Sequence, residues 1–179
     1  DLSQWAAMVK TAGSPRDTVN IALVGKYTGL RDSYISLIQA LDHGGIANRL
    51  KVNIDWIEAE DLEKGGMEDI LEGKDGILVP GGFGVRGIEG KVGAAQFARE
   101  NGIPFFGICL GMQCAAIECA RNVAGLTGAN SAEFDPECPS KIIVRWRELQ
   151  KGHDMGATMR LGGYSCRIIK GSLAYRAYH

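Results

Sequence analysis

The chain has almost no charge imbalance, few histidines and no long apolar run, and each shortage removes a class of function. Its 20 Lys and Arg nearly balance 21 Asp and Glu over 179 residues, for a formal net charge of −1. The basic residues are spread out, so no electrostatic surface for nucleic acid or membrane is expected. The longest apolar stretches, such as Ile77 to Pro80 and Ile103 to Leu110, fall far short of a bilayer span and are broken by glycine or proline. No signal peptide is visible from Asp1. No C-x-x-C spacing occurs, and the five cysteines, at 109, 114, 119, 138 and 166, form an odd set. That excludes a disulfide framework and a structural zinc site, and it fits a reducing, cytoplasmic compartment. A small-molecule site remains.

The length suits one domain with a substantial core. Residues 1–17 read as a leader helix, with Leu2, Trp5, Met8 and Val9 on one face before Gly13-Ser14-Pro15 breaks it. Such a stripe needs a partner, so the leader is expected to join the domain, residues 18–179, to something upstream. Strands are predicted at Val19–Gly25, Val52–Ile57, Gly76–Val79 and Pro104–Ile108. Helices are predicted at Asp32–His43, Asp61–Leu71, Lys91–Glu100 and Leu110–Val123. Short apolar strands alternating with helices predict an α/β fold, a mostly parallel sheet covered by helices on both faces. Beyond Gly125, β-like pieces at Lys141–Trp146 and Thr158–Leu161 predict an irregular, partly antiparallel C-terminal annex rich in β structure.

Ligands of such sheets gather at the carboxyl ends of the strands, where Gly81-Gly82 and Cys109 fall. Gly107-Ile108-Cys109-Leu110-Gly111 is a G-x-C-x-G sequence between a buried strand and a helix, the pattern of a nucleophile elbow. There a sharp turn exposes the nucleophile, the glycines allow close backbone contacts, and the helix N-terminus favours an anion. This predicts acyl transfer through a thioester. The amides of Gly82 and Leu110 would form an oxyanion hole, with no side chain at Gly82 to obstruct a substrate carbonyl.

Other motifs compete. Gly82, Gly84 and Gly87 spell G-x-G-x-x-G, a dinucleotide fingerprint, but the next strand ends in Gly107-Ile108-Cys109 rather than in an acid for ribose, and Arg86 sits where pyrophosphate would lie. Gly25-Lys26 with Thr28 lacks the rest of a phosphate-binding loop and reads as a strand-end turn. Cys114 and Cys119 read as core packing, and Cys138 and Cys166 carry no signature. A thiol nucleophile needs a base, and only His43, His153 and His179 are present. His43 reads as a helix-end residue before Gly44-Gly45, His153 as part of a charged loop and His179 as the last residue, so no triad is completed.

Five blocks carry a family resemblance: Ile21–Tyr27, Val79–Gly87, Gly107–Gln113, Ala129–Asp135 and Gly156–Gly162. The elbow resembles that of the class I glutamine amidotransferases. The Asn-Ser-x-Glu-Phe-Asp and Thr-Met-Arg-Leu-Gly blocks resemble the linker and amidotransferase domain of the CTP synthase family. The resemblance implies a glutaminase in which Cys109 attacks the L-glutamine side chain and forms a γ-glutamyl thioester. It assigns glutamine binding to Gly82, Leu110, Gly111, Met112, Gln113 and Glu133. It implies no cofactor or metal in this domain, and ATP and Mg in an N-terminal synthase domain that aminates UTP. It further implies GTP as allosteric activator, with Arg86 nearby, and a homotetramer. The family's His-x-Glu and an arginine-rich block would follow His179. Residues 137–154 depart from the family pattern. Two alternatives stay open: an amidotransferase-like module that binds glutamine or another ligand without turnover, and a class I amidotransferase with a different acceptor.

Overall fold

A computed structural model describes residues 1–144 and 165–178. The chain divides into two compact units, Asp1–Arg145 and Trp146–His179. In the first, four strands form one sheet in the order β2-β1-β3-β4, with β1 at Asp17–Gly25, β2 at Leu50–Glu58, β3 at Gly76–Val79 and β4 at Phe105–Gly107. All neighbours pair parallel, Ile21 standing opposite both Ile54 and Gly76, and Ile77 opposite Phe105. All four residues of β3 are buried, which is why this central strand reads as an unbroken apolar run.

The inward residues of one sheet face, Ala22, Val24, Ile57, Ile77 and Val79, pack with Leu62, Leu71, Ala94 and Ala98. These last come from α3 (Ala59–Glu63), α4 (Met67–Leu71) and α5 (Ile88–Glu100). On the other face, Leu41 of α2 (Ile35–Asn48) joins Ile21, Leu78 and Phe106 around an open cavity of about 220 Å³. Helices therefore lie on both faces, as expected, but cover at the β4 edge is partial and Phe106 stays 63% exposed. The leader is helical, α1 at Ser3–Ala12, with none of its residues buried.

Several expected boundaries move. Helix α2 continues through Gly44-Gly45 and ends before Arg49, which takes φ 58°, so His43 is mid-helix. Gly45 is a packing residue, not a stop: a Cβ there would sit 2.7 Å from the Leu50 carbonyl oxygen and 2.9 Å from Val52. The helical stretch expected over Asp61–Leu71 is two short helices, broken where Gly65 and Gly66 take φ 104° and 73°. Helix α6 spans Leu110–Glu118 and widens to a π-turn over Cys119–Val123.

After the π-turn, β5 (Ala129–Ser131) and β6 (Ser140–Ile143) pair parallel, and much of the expected annex falls on residues outside those described. The expected piece at Thr158–Leu161, the block Gly156–Gly162, Arg145, Trp146, His153 and His179 lie outside the described residues. In the second unit, α7 (Leu173–Tyr178) begins with the Tyr175 N–H donating to Ser172 Oγ at 3.1 Å and buries none of its residues.

Leu71 is fully buried in the core, whereas Leu30 is 65% exposed. Leu71→Ala is expected to lower stability by about 2–5 kcal/mol, and Leu30→Ala by no more than about 0.5 kcal/mol. Urea unfolding of the two variants measures the contrast.

Candidate active site

The turn from β4 into α6 is held by backbone packing. The Ile108 N–H donates to the Val79 carbonyl at 2.9 Å, the Gly111 N–H to Ile108 at 2.9 Å and the Gln113 N–H to Cys109 at 3.1 Å. There is no room at this crossing for a methyl group. A Cβ on Gly107 would fall 2.4 Å from the Gly111 carbonyl carbon, and one on Gly111 would fall 2.1 Å from the Val79 carbonyl oxygen. Cys109, caught between the two glycines, takes φ 54° and ψ −105°. A non-glycine residue in such a region costs on the order of 1–3 kcal/mol and persists only where its surroundings impose it. The result is a thiol on the exposed side of the turn, at the carboxyl end of the sheet and at the N-terminus of a nine-residue helix.

The Gly81-Gly82 loop that follows β3 passes beside it. A Cβ on Gly81 would be 3.4 Å from the Cys109 Cβ, while one on Gly82 would meet only a Leu110 methyl, at 3.5 Å. The tighter approach to the nucleophile is thus at Gly81, and Gly82 and Leu110 are neighbours. Neither the Gly82 nor the Leu110 amide has an acceptor among the described residues. Two free N–H groups beside an exposed thiol are what developing oxyanion charge requires.

Along α6, Gly111 is buried, Met112 is 56% exposed and Gln113 is part-buried. The Gln113 Oε1 is buried with no hydrogen-bond partner among the described residues. Such an orphaned acceptor costs about 1–3 kcal/mol, a cost removed when a ligand donates to it. Glu133 lies in the turn after β5, its N–H donating to Ser131 Oγ at 3.2 Å. Its carboxylate is close enough for its charge to act on Lys26, which places it at the same end of the sheet.

Lys26 is more than a strand-end turn residue. Its Nζ donates to the carbonyls of Phe83 at 2.9 Å and Gly84 at 3.3 Å, so it clamps the loop that carries Gly82. Burial, and next the charge of Arg86, lower its pKa. Arg86 stacks over the Tyr27 ring at 4.6 Å and reaches Glu60 at 3.3 Å. Of the glycines in G-x-G-x-x-G, Gly87 serves packing here: a Cβ on it would meet Ala59 Cβ at 2.8 Å.

Lys91, on α5, is only 2% exposed. Burial, and next the Lys26 charge, lower its pKa to about 8. Burial raises the Cys114 thiol to about 11, so this fully buried cysteine is an inert packing residue. Cys119, expected in the core, is exposed, because five residues carry it about 140° around the helix from Cys114. Neither lysine was legible as a site residue. The one available signal was position, since Lys26 directly follows a buried strand and Lys91 stands among glycine and alanine on the apolar face of a helix.

His43 is exposed in the middle of α2 and makes no hydrogen bond with the elbow among the described residues.

A strained, exposed cysteine at a strand end, beside a glycine loop with free amides, is the arrangement a cysteine acyl-transfer site on an α/β sheet requires. Residues 30–179 match the family Glutamine amidotransferase class-I, and the chain belongs to that family. Among its relatives are the CTP synthases of Caldanaerobacter subterraneus, 53% identical over 99% of this chain and 33% of that one, and of Acidobacterium capsulatum, 56% identical over 99% and 32%. The chain thus spans about a third of the length of the curated relatives it matches. A solved structure, the glutaminase domain of Trypanosoma brucei CTPS with bound acivicin, superposes with a TM-score of 0.66 at 46% identity, covering 70% of this chain and 49% of that one.

Lys91 also leaves a signature in the pH dependence of stability. Below pH 8 it is charged in both folded and unfolded chains. Between about 8 and its ordinary 10.5, the unfolded chain holds the proton and the folded chain does not, so stability rises with pH in that window. Lys91→Met removes this rise. The parent is expected to gain on the variant by up to about 1.4 kcal/mol per pH unit crossed, read from denaturant unfolding at pH 7.5 and 10. A constant difference between the two proteins would contradict it.

Proposed function

We propose that this domain is a glutaminase. The thiolate sulfur of Cys109 bonds to the carboxamide carbon of L-glutamine, and the carbonyl electron pair moves onto oxygen, where the Gly82 and Leu110 amides receive it. When the carbonyl reforms, the carbon–nitrogen bond breaks and ammonia leaves with a proton, giving a γ-glutamyl thioester. Water then cleaves the thioester to glutamate and restores the thiol. Gln113 and Glu133 accept hydrogen bonds from the substrate ammonium, with Gly111 and Met112 lining the approach. The orphaned Gln113 Oε1 supports that assignment. The observation that carries the reading is Cys109 at φ 54°, exposed at the strand end and beside Gly81.

For the whole protein, we assign the general base to a downstream His-x-Glu. Ammonia would pass to an N-terminal synthase domain that aminates UTP to CTP with ATP and Mg. GTP would act as activator, and the assembly would be a cytoplasmic homotetramer. Support comes from the CTP synthase relatives and from the trypanosome glutaminase domain with acivicin, a glutamine analogue. No helix among the described residues is long and apolar enough to cross a membrane. A second reading, glutamine binding without turnover, is favoured by one observation: among the described residues the elbow has no histidine beside it.

Acivicin labelling with peptide mass spectrometry separates these readings. The expected result is one adduct, on Cys109, absent from Cys109→Ser, with the equally exposed Cys119 and Cys166 unlabelled. A Cys109 that iodoacetamide alkylates but acivicin does not would sink the nucleophile assignment. Labelling without glutamine hydrolysis in the full-length protein would favour the binding module.

A further inference from the structure

Lys91 is an enclosed cation whose ammonium makes no ion pair with any described residue. Its backbone N–H donates to the Gly87 carbonyl at 3.2 Å, but its ammonium makes no hydrogen bond with any described residue, although the residue is only 2% exposed. Its side chain lines a cavity of about 140 Å³ together with Lys26, Tyr34 and the Gly81–Phe83 backbone. A buried ammonium without a partner is strongly unfavourable, and here a second ammonium acts on it across the same space.

Glu58 and Glu63 act on Lys91, and Glu60 and Glu133 on Lys26, through their charge and without an ion pair to either lysine. Glu58 Oε1 accepts the Thr28 N–H at 2.6 Å and the Thr28 hydroxyl at 2.8 Å. Glu63 Oε1 accepts the Gly90 N–H at 3.2 Å. Cys114 is a neutral thiol, and the Tyr34 hydroxyl donates to the Lys26 carbonyl at 2.6 Å. Lys26 uses two of its three protons on Phe83 and Gly84. The N–H groups of Gly81, Gly82 and Phe83 have no acceptor among the described residues. The cavity therefore faces two ammonium groups and, along Gly81–Phe83, backbone N–H groups that no described residue accepts.

We propose that this cavity is a binding site for a free small oxyanion of phosphate size, held between Lys91 and Lys26 beside the Gly81-Gly82 loop. Its volume admits such an ion but not a nucleotide. Because Lys26 also clamps the carbonyls of Phe83 and Gly84, the ion sits one side chain away from the loop that carries the Gly82 amide. The site borders the glutamine pocket and shares the Gly81-Gly82 loop with it, but it does not depend on the glutaminase reading.

The test is inorganic phosphate titrated into the 179-residue chain in an otherwise oxyanion-free buffer at constant ionic strength. The parent is expected to show a saturable rise in Tm of about 2–4 °C at fivefold excess over the dissociation constant. Lys91→Met is expected to lose the rise, and Lys64→Met, which alters an exposed lysine, to keep it. No saturable rise in the parent, or an equal rise in Lys91→Met, would overturn the site. If Lys91→Met does not fold, acetic anhydride footprinting of the parent decides: phosphate should slow acetylation of Lys91 and not of Lys64, and equal protection or none is a refutation. Added glutamine should leave the phosphate response of Cys109→Ser unchanged, whereas competition would place the anion at the Gly82 amide of the glutamine pocket and refute a site held between the two lysines.

Discussion

The site depends on one backbone crossing. Helix α6 runs so close over β3 and β4 that neither Gly107 nor Gly111 has space for a β-carbon. That proximity leaves Cys109 no relaxed conformation, and its φ of 54° is the consequence. The strain is sustained by packing that extends well beyond the turn. Val79, whose carbonyl meets Gly111, belongs to a strand buried along its whole length, and Leu110 and Ile117 of α6 pack with Ile88 and Val92 of α5. A rigid sheet and two helices thus hold one exposed side chain in a geometry it would not adopt alone.

The chemistry follows from what surrounds that side chain. The glycine loop after β3 brings an unpaired amide to the elbow, and the first amide of α6 supplies another. The loop is itself positioned by charge, since the Lys26 ammonium bonds two of its carbonyls and is partly buried in doing so. A polar acceptor on Gln113 and a carboxylate on Glu133 stand at the same end of the sheet. The arrangement keeps hydrogen-bonding groups unsatisfied where a ligand completes them, a local cost that the apolar core on the other side of α5 and β3 offsets.

Much of this was legible in the sequence because it rests on local patterns. The run Gly76–Val79 is buried on both sides, so its apolar character was unambiguous, and the glycine spacing around Cys109 reports the crossing directly. The resemblance blocks then identified the family that residues 30–179 match. What misled was glycine whose reason is tertiary: Gly45 looks like a helix stop until β2 is seen packed against it. The two lysines were invisible for a related reason. Lysine in a sequence suggests solvent, and only the three-dimensional position shows Lys91 enclosed and Lys26 turned onto a carbonyl pair. Cys119 was misassigned because five residues along a helix is a different face, and the parallel pairing of β5 with β6 depends on a connection that periodicity does not encode.

The central claim is that the strained elbow aims Cys109 so that an acyl oxygen on its sulfur lies between the amides of Gly82 and Leu110. The most direct measurement is a crystal structure of the Cys109 adduct formed with a γ-glutamyl electrophile. The account predicts the oxygen of the acyl carbon within hydrogen-bonding distance of both amides, about 2.7–3.1 Å, with Cys109 still at positive φ. An adduct whose oxygen faces solvent, or a Cys109 relaxed to ordinary helical dihedrals, would contradict it.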